Sequence, residues 1–421
     1  MANEFSKEER VAFEDILEGF DDQALLSKAV AKFSTDQTMM ARTNDIIWRP
    51  QPNISRSFDG LDQTGNFLNQ TQLSVPSTIG YKKVSPWTMD ALELRDALQE
   101  KRLGVGARQK LTSDINVAVT NVACLQGTLV VSRSGASGDF DDIAACETIM
   151  NEQGVPEMDR YIGLSTRDYN GIAGNLQVAS RSFGNKKSDN AFEKAFVGEV
   201  ANFSTLKLPY TRSIRAATIT ATMSTLVGAG NFYVPQATTV SATGESSNVD
   251  NRYQTITVNA SATMEAGDAF TIIGVNAVHH ITKEDTGQLK TFRVISVPSG
   301  TTVVISPPII SGQGGSNAEL QYQNCIVTAS GSAAIDQLNT NATQINPFWV
   351  RDSIEILPGR LAIPANAGMA VMRGTTDQGL EVVMSKQADI DNLKTKFRID
   401  VLFGVVNLQP EMTGILLFNQ P

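Results

Sequence analysis

The chain has 421 residues, of which 41% are hydrophobic, 19% charged and 7% aromatic, a globular rather than disordered composition with room for about two to four domains. No apolar run approaches the roughly 18–20 residues that span a bilayer, and Met1–Arg10 lacks a basic stretch followed by an apolar one, so neither a membrane helix nor a signal peptide is expected. Cys124, Cys146 and Cys325 are scattered and lack CxxC spacing, which argues against a disulfide framework or zinc knuckle and for a reducing cytoplasm.

Net charge is −9 and unevenly spread. Residues 1–22 hold eight acids (Glu4, Glu8, Glu9, Glu14, Asp15, Glu18, Asp21, Asp22) against Lys7 and Arg10. Residues 218–332 carry seven acids and four bases, and the remainder is neutral. No segment is basic enough to grip nucleic acid by neutralising phosphates. The acidic terminus reads either as an ordinary solvated helix face or as a docking arm for a basic partner.

In chain order, Phe5, Val11, Phe13, Ile16, Leu17, Phe20, Leu25, Leu26, Val30 and Phe33 recur at helical spacing. They predict an amphipathic arm of two helices broken near Gly19. Ile46-Ile47-Trp48 and Leu73-Ser74-Val75 flank the polar stretch Gln51–Thr71, read as a long two-stranded loop without a core of its own. Ser85-Pro86 carries a helix-opening signal. Leu111, Ile115, Ala118, Val122, Leu125 and Leu129 predict a long spine helix, interrupted ahead of its second half by Gly104 and Gly106. Residues 140–217 have α+β texture, with helices over Ile143–Met150 and Asn190–Val200 and a turn at Asn170-Gly171. Runs rich in β-branched residues at Thr218–Thr222, Tyr253–Val258, Ala269–Ile273, Thr291–Ile295 and Thr301–Ser306 predict an antiparallel barrel or sandwich inserted into a host. Phe397–Val406 reads as a long strand near the C-terminus.

Catalytic constellations are not found. His279 and His280 are the only histidines; adjacent strand positions point to opposite faces, so they read as surface or half-buried side chains rather than metal ligands. Gly104–Lys110 lacks the spacing of a phosphate loop, and Gly312–Ser316 reads as a connector rather than an anion site. Asp141-Asp142 is expected to cap a helix starting near Ile143. A helical spine, extended polar loop, acidic arm and β insertion are parts that seek neighbours, and contacts between unlike surfaces can tile shells.

Several segments then carry a resemblance: Asn44–Pro50, Leu94-Arg95-Asp96, Asn116–Val131, Val249–Val258 with Gly267-Asp268, Asn346–Ile354 and Ile363–Asn366. In this order, with the β-rich stretch between them, the chain resembles the major capsid (coat) proteins of P-22-like short-tailed phages, whose host domain has the HK-97-type capsid fold. The resemblance implies an α+β chain with an N-terminal helical arm at 1–34, an extended E-loop region at 35–86 and the spine helix of a peripheral domain at 87–135. It further implies an axial domain at 136–217 and 333–395, an inserted β-domain at 218–332 and a C-terminal strand at 396–421 returning to the peripheral domain.

Relatives assemble as pentamers and hexamers into an icosahedral procapsid around a scaffolding protein, which leaves as double-stranded DNA enters and the shell expands. The resemblance thus implies as partners the chain itself, a scaffolding protein, a portal protein and packaged DNA without sequence-specific contact. It implies no membrane, cofactor, metal or enzymatic activity, assembly in the bacterial cytoplasm and a final place in the virion capsid. An acid at Glu14, with Asp15 beside it, belongs to the matched scaffold-docking arm. The loop that reaches a neighbouring capsomer would be Gln236–Asn251, where only Glu245 and Asp250 are charged. A negatively charged wall suits this role, because it repels phosphate. The rival reading is a β-rich glycan-binding or tail-associated virion module, drawn from residues 218–332 alone; an enzyme ranks third.

Overall fold

The computed structural model describes residues 5–23, 25–33, 46–52, 55–99, 102, 104–180, 197–218, 224–227, 232–259, 263–329, 331–363, 368–376 and 379–421. The chain divides into two units, one formed by residues 1–47, 77–120 and 354–406, the other by 48–76, 121–353 and 407–421.

The first unit is organised by the strand Lys394–Asn407, which has Glu381–Asp389, Ile354–Pro358 and Tyr81–Asp90 as neighbours. Ala370–Thr375 pairs with Glu381–Asp389 and forms one edge, while Ala31–Lys32 lies parallel to Ile354–Pro358. Apolar alternation drives this pairing: Phe397, Ile399, Val401 and Phe403 are buried, with Trp87 stacked on Phe397 at 5.6 Å and Tyr81 on Phe403 at 5.2 Å. Ser85-Pro86 therefore does not open a helix; both residues lie inside Tyr81–Asp90. That strand pairs with Lys394–Asn407 along Tyr81–Asp90, and a proline without an N–H is tolerated where a strand need not donate on both sides. The helix begins at Ala91, where Asp90 Oδ1 accepts the N–H groups of Leu92 (3.0 Å) and Glu93 (2.7 Å).

The arm helix Lys7–Gln23 runs straight through Gly19, contrary to the expected break, and a short helix, Leu25–Lys28, follows it. Gly19 is there for space: a Cβ would run into the Arg108 guanidinium, which donates to the Asp15 carbonyl at 3.2 Å. The spine helix spans Val105–Gln126, directly after Gly104, whose φ of +75° favours glycine; Gly106 lies within the helix and does not break it. Leu125 is exposed and Leu129 belongs to the next strand, so the expected single stripe ends earlier. Burial instead extends around the helix, with the Thr112 and Thr120 hydroxyls donating to the carbonyls of Arg108 and Asn116 four residues back.

In the second unit a six-stranded mixed sheet orders Leu129–Ser132, Thr413–Leu417, Asn346–Val350, Arg160–Ser165, Phe203–Leu208 and Glu199–Val200. Its core joins Ile143, Cys146 and Met150 of the helix Phe140–Glu152 and Ile172 of the helix Thr166–Ser180 to Ile162, Phe203 and Phe348. Thr413–Leu417 is a second strand beyond Lys394–Asn407, where one terminal strand was expected. Asp142 accepts the N–H of Asp139 (3.2 Å) and pairs with Arg133 (2.8 Å); the helix therefore starts at Phe140, earlier than expected. Asn170-Gly171 is helical rather than a turn, and the glycine serves packing, since the Ser137 carbonyl oxygen lies 2.5 Å from where a Cβ would stand. The expected helix over Asn190–Val200 falls mostly outside the described residues, and its last two residues are a strand.

The same unit contains a seven-stranded antiparallel sheet in the order Ser224–Val227, Gly331–Gln337, Ala269–Val278, Asp285–Ser299, Thr302–Ser306, Gln254–Thr257, with Cys325–Val327 also on Ala269–Val278. A bridge between Thr225 and Val258, and the Thr225 hydroxyl bonded to the Thr257 carbonyl at 2.8 Å, bring the two end strands together, so the sheet curls into a barrel. Ile256, Phe270, Ile272, Phe292, Val294, Val303 and Ile305 fill it. Four of the five expected strands are present; of Thr218–Thr222, residues 219–222 lie outside the described residues. The three thiols are buried, and burial pushes Cys124 and Cys325 up to about 12.

Gly404 separates two kinds of tightness. A Cβ there collides with the Thr78 carbonyl oxygen, which is backbone, whereas at Gly374 it meets the end of the Leu17 side chain. Gly404→Ala is expected to cost about 1–3 kcal/mol or more and Gly374→Ala distinctly less, measured by urea unfolding of the two variants. Equal losses would refute the distinction.

Candidate assembly surfaces

The arm helix is fastened at its start. Ser6 and Glu9 form a reciprocal cap, with Ser6 N–H donating to Glu9 Oε2 at 2.8 Å and Glu9 N–H to Ser6 Oγ at 3.2 Å. Glu9 is 1% exposed and takes the Lys386 ammonium at 2.6 and 2.9 Å. Lys386 also lies 5.9 Å from the rings of Phe5 and Phe397. The inward face is Phe5, Ala12, Phe13, Ile16 and Phe20; Glu8, Val11, Glu14, Asp15 and Glu18 are exposed. Between this helix and the edge strand Ala370–Thr375 lies an open groove of about 670 Å³, lined on the helix side by Phe5, Arg10, Phe13, Glu14 and Leu17. Glu14 thus lines a groove and Asp15 does not. The arm's acidity alone does not set Glu9 apart, yet its spacing does: an acid four residues before Phe13 sits on the apolar stripe.

The polar loop has the second surface. Ile46–Pro50 and Ser74–Thr78 pair at its base, and Tyr322 Oη donates to the Thr71 carbonyl at 2.8 Å. Beyond that anchor, Phe58, Leu61, Phe67 and Leu68 are exposed, Leu61 and Phe67 almost completely, at 105% and 89%. The Arg56 guanidinium covers the Phe58 ring at 4.9 Å. Asp62 holds the tip, accepting the Thr64 hydroxyl at 2.5 Å and its N–H at 3.1 Å, which lowers the carboxyl below its ordinary range.

Glu245 and Asp250 are not brought together. Glu245 is exposed at the turn of the hairpin Thr238–Val240/Ser246–Asn248, where its carbonyl accepts Ser241 N–H. Asp250 faces its own chain, paired with Arg252 through Nε at 2.9 Å and Nη2 at 2.7 Å, while Arg252 Nη1 donates to the Asn407 carbonyl. Gly312–Ser316 packs against the chain's own Glu319. That carboxylate is 1% exposed, accepts Ser316 N–H at 3.1 Å and occupies the space beside Gly314. His279 and His280 are half-buried, as expected. Among the described residues no group of three or more His, Cys, Asp and Glu is placed to hold a metal.

Among the described residues, these are an acidic helix beside an open groove and a polar loop with exposed apolar side chains. A family model described as "P22 coat protein - gene protein 5" matches residues 1–419, so the chain belongs to that family of phage coat proteins, which is structural and not enzymatic. The HK-97-type capsid fold implied by the resemblance goes with this membership. Among solved structures, the CUS-3 coat protein I-domain is 44% identical over 29% of this chain and 99% of its own, with a TM-score of 0.23. The Mycobacterium phage Che8 structure is 9% identical over 93% of this chain and 89% of its own, with a TM-score of 0.44. The capsid structure of Cyanophage P-SCSP1u is 11% identical over 92% and 85%, with a TM-score of 0.40. Because the family match includes residues 218–332, the β-rich stretch is part of a coat protein rather than a free-standing glycan-binding module.

Lys386→Ala leaves Glu9 charged, buried and unpaired, at an expected cost of about 3–5 kcal/mol. The check is urea unfolding together with amide exchange over residues 5–20, which should lose protection first. Unchanged exchange there would mean that the pair does not hold the arm.

Proposed function

We propose that the chain is the major capsid protein of a tailed phage, assembling with a scaffolding protein into an icosahedral procapsid that matures around double-stranded DNA. The family match over residues 1–419 carries this reading. The domain plan of the resemblance goes with it: N-arm, E-loop region, peripheral and axial domains, and the barrel as an inserted β-domain. Pentamers and hexamers of the chain, a portal protein and the DNA are the other partners, and assembly takes place in the host cytoplasm.

Two surfaces have distinct tasks in this reading. The arm groove receives a basic, partly apolar scaffold segment: Glu14 and Asp15 attract it, while Phe5, Phe13 and Leu17 receive its apolar side chains. The loop packs on a neighbouring copy and covers Leu61 and Phe67. Glu245 is exposed for a contact between capsomers, whereas Asp250 acts in that loop by holding Arg252.

Electron microscopy of the full chain expressed with and without a scaffold should show closed shells of uniform size with it; soluble monomers under both conditions would reject the reading. Deleting residues 55–70 should leave a folded chain that forms no closed shell, and normal particles from that variant would remove the loop from assembly. Scaffold binding should fall as salt rises, and several-fold at low salt on Glu14→Ala with Asp15→Ala, since exposed pairs contribute only ~0–1 kcal/mol each and are screened. Binding indifferent to salt would leave the apolar side of the groove as the whole site.

A further inference from the structure

The two histidines lie at a junction that coat assembly alone does not explain. The turn His279–Lys283 joins the barrel strands Ala269–Val278 and Asp285–Ser299. It rests on the end of the helix Phe140–Glu152: His280 N–H donates to the Gln153 carbonyl at 3.0 Å, and the His279 ring fills the space beside Gly154, within 2.6 Å of where a Cβ would stand. Lys290, 1% exposed, donates to Gln153 Oε1 at 3.2 Å and to Glu411 Oε1 at 2.5 Å. Asn324 Nδ2 also donates to Glu411, at 3.1 Å. His280 Nε2 is 3.9 Å from the same Glu411 oxygen, buried and without a hydrogen-bond partner among the described residues.

We propose that this cluster is an acid-operated latch: proton uptake by His280 releases the turn His279–Lys283 from the segments that carry Gln153 and Glu411. The charges facing His280 are Glu411 from the C-terminal segment, Lys290 from the adjoining barrel strand, and Lys283 and His279 from its own turn. One carboxylate, already held by Lys290, faces two ammonium groups, so a further positive charge is poorly accommodated. Burial pushes His280 down from 6.5 to about 4; the Glu411 carboxylate opposes this and the lysines add to it, and burial likewise pushes Lys283 down to about 8. The folded chain therefore binds fewer protons than the open one between these limits. The His280 contribution to closure, which lies below the range in which Lys283 acts, is complete above about pH 6.5 and is lost as pH falls towards 4. Over that range the opening equilibrium rises on the order of a hundredfold.

The full-length chain contains only these two histidines, so imidazole nitrogen spectra read each one directly. A titration from pH 7.5 to 4, paired with amide exchange of residues 277–290 corrected for intrinsic rate, should show His280 neutral until protection is lost, both changes falling together below pH 6. His280→Gln should retain protection about one pH unit further into acid. Where that variant fails to fold, Lys283→Gln serves instead: removing a facing ammonium raises the proton affinity of His280 in the closed state and also extends protection into acid. His280 protonating near pH 6.5 with protection intact, or variants that open at the wild-type pH, would overturn the latch.

Discussion

Lys290, Thr291 and Arg293 occupy one short stretch of a barrel strand, all buried, and each donates to a different part of the second unit. Lys290 reaches Glu411 and Gln153; Thr291 Oγ1 donates to the Thr128 carbonyl at 2.7 Å; Arg293 donates to the carbonyls of Cys124 (3.1 Å) and Gly127 (3.4 Å). The last two carbonyls stand at the C-terminal end of the spine helix, where the partial negative charge of the unpaired carbonyls suits a cation. Burial pushes the Arg293 guanidinium down to about 10, still charged at neutral pH. A buried cation without partners is very costly, so these groups tolerate few arrangements. The barrel strand is thereby fixed to the spine helix end, to the strand that follows it and to the C-terminal segment at once.

None of that fastening is legible locally. Lys290 and Glu411 are 121 residues apart, and nothing around either marks the other. The barrel strands were legible because β-branched runs between turn signals carry their meaning within a few residues. Glycine shows the limit most clearly. Gly19 and Gly171 read as a break and a turn, yet both are helical; each is small because Arg108 or the Ser137 carbonyl comes close, and those neighbours lie far along the chain or outside the helix. Pro86 was ambiguous for a different reason, since a missing N–H suits a helix start and a strand edge alike. The strand shows itself only in the structure, where Tyr81, Lys83, Ser85, Trp87 and Met89 are half-buried in alternation with exposed neighbours.

The candidate site was half legible. The acidity of the arm stands plainly in the composition, but eight acids in 22 residues do not act as one patch. Glu9 turns inward and holds the helix down, while Glu14 turns outward and lines the groove. Asp250 shows the same division, since its charge is engaged within the chain and leaves Glu245 alone at the hairpin turn.

Leu61 and Phe67 stand in water while Phe20 and Phe203 are sealed in cores, and the difference has a consequence for error correction. Covering an exposed side chain of this size is worth roughly 1.5–3 kcal/mol, so in the proposed assembly a loop seated on a neighbouring copy by two of them holds loosely. A loosely held copy that arrives in the wrong orientation dissociates before neighbours enclose it, whereas a more apolar loop would trap the mistake. On that proposal the polar composition around those side chains keeps the first contact reversible, and permanence comes only when many such contacts close around the same subunit.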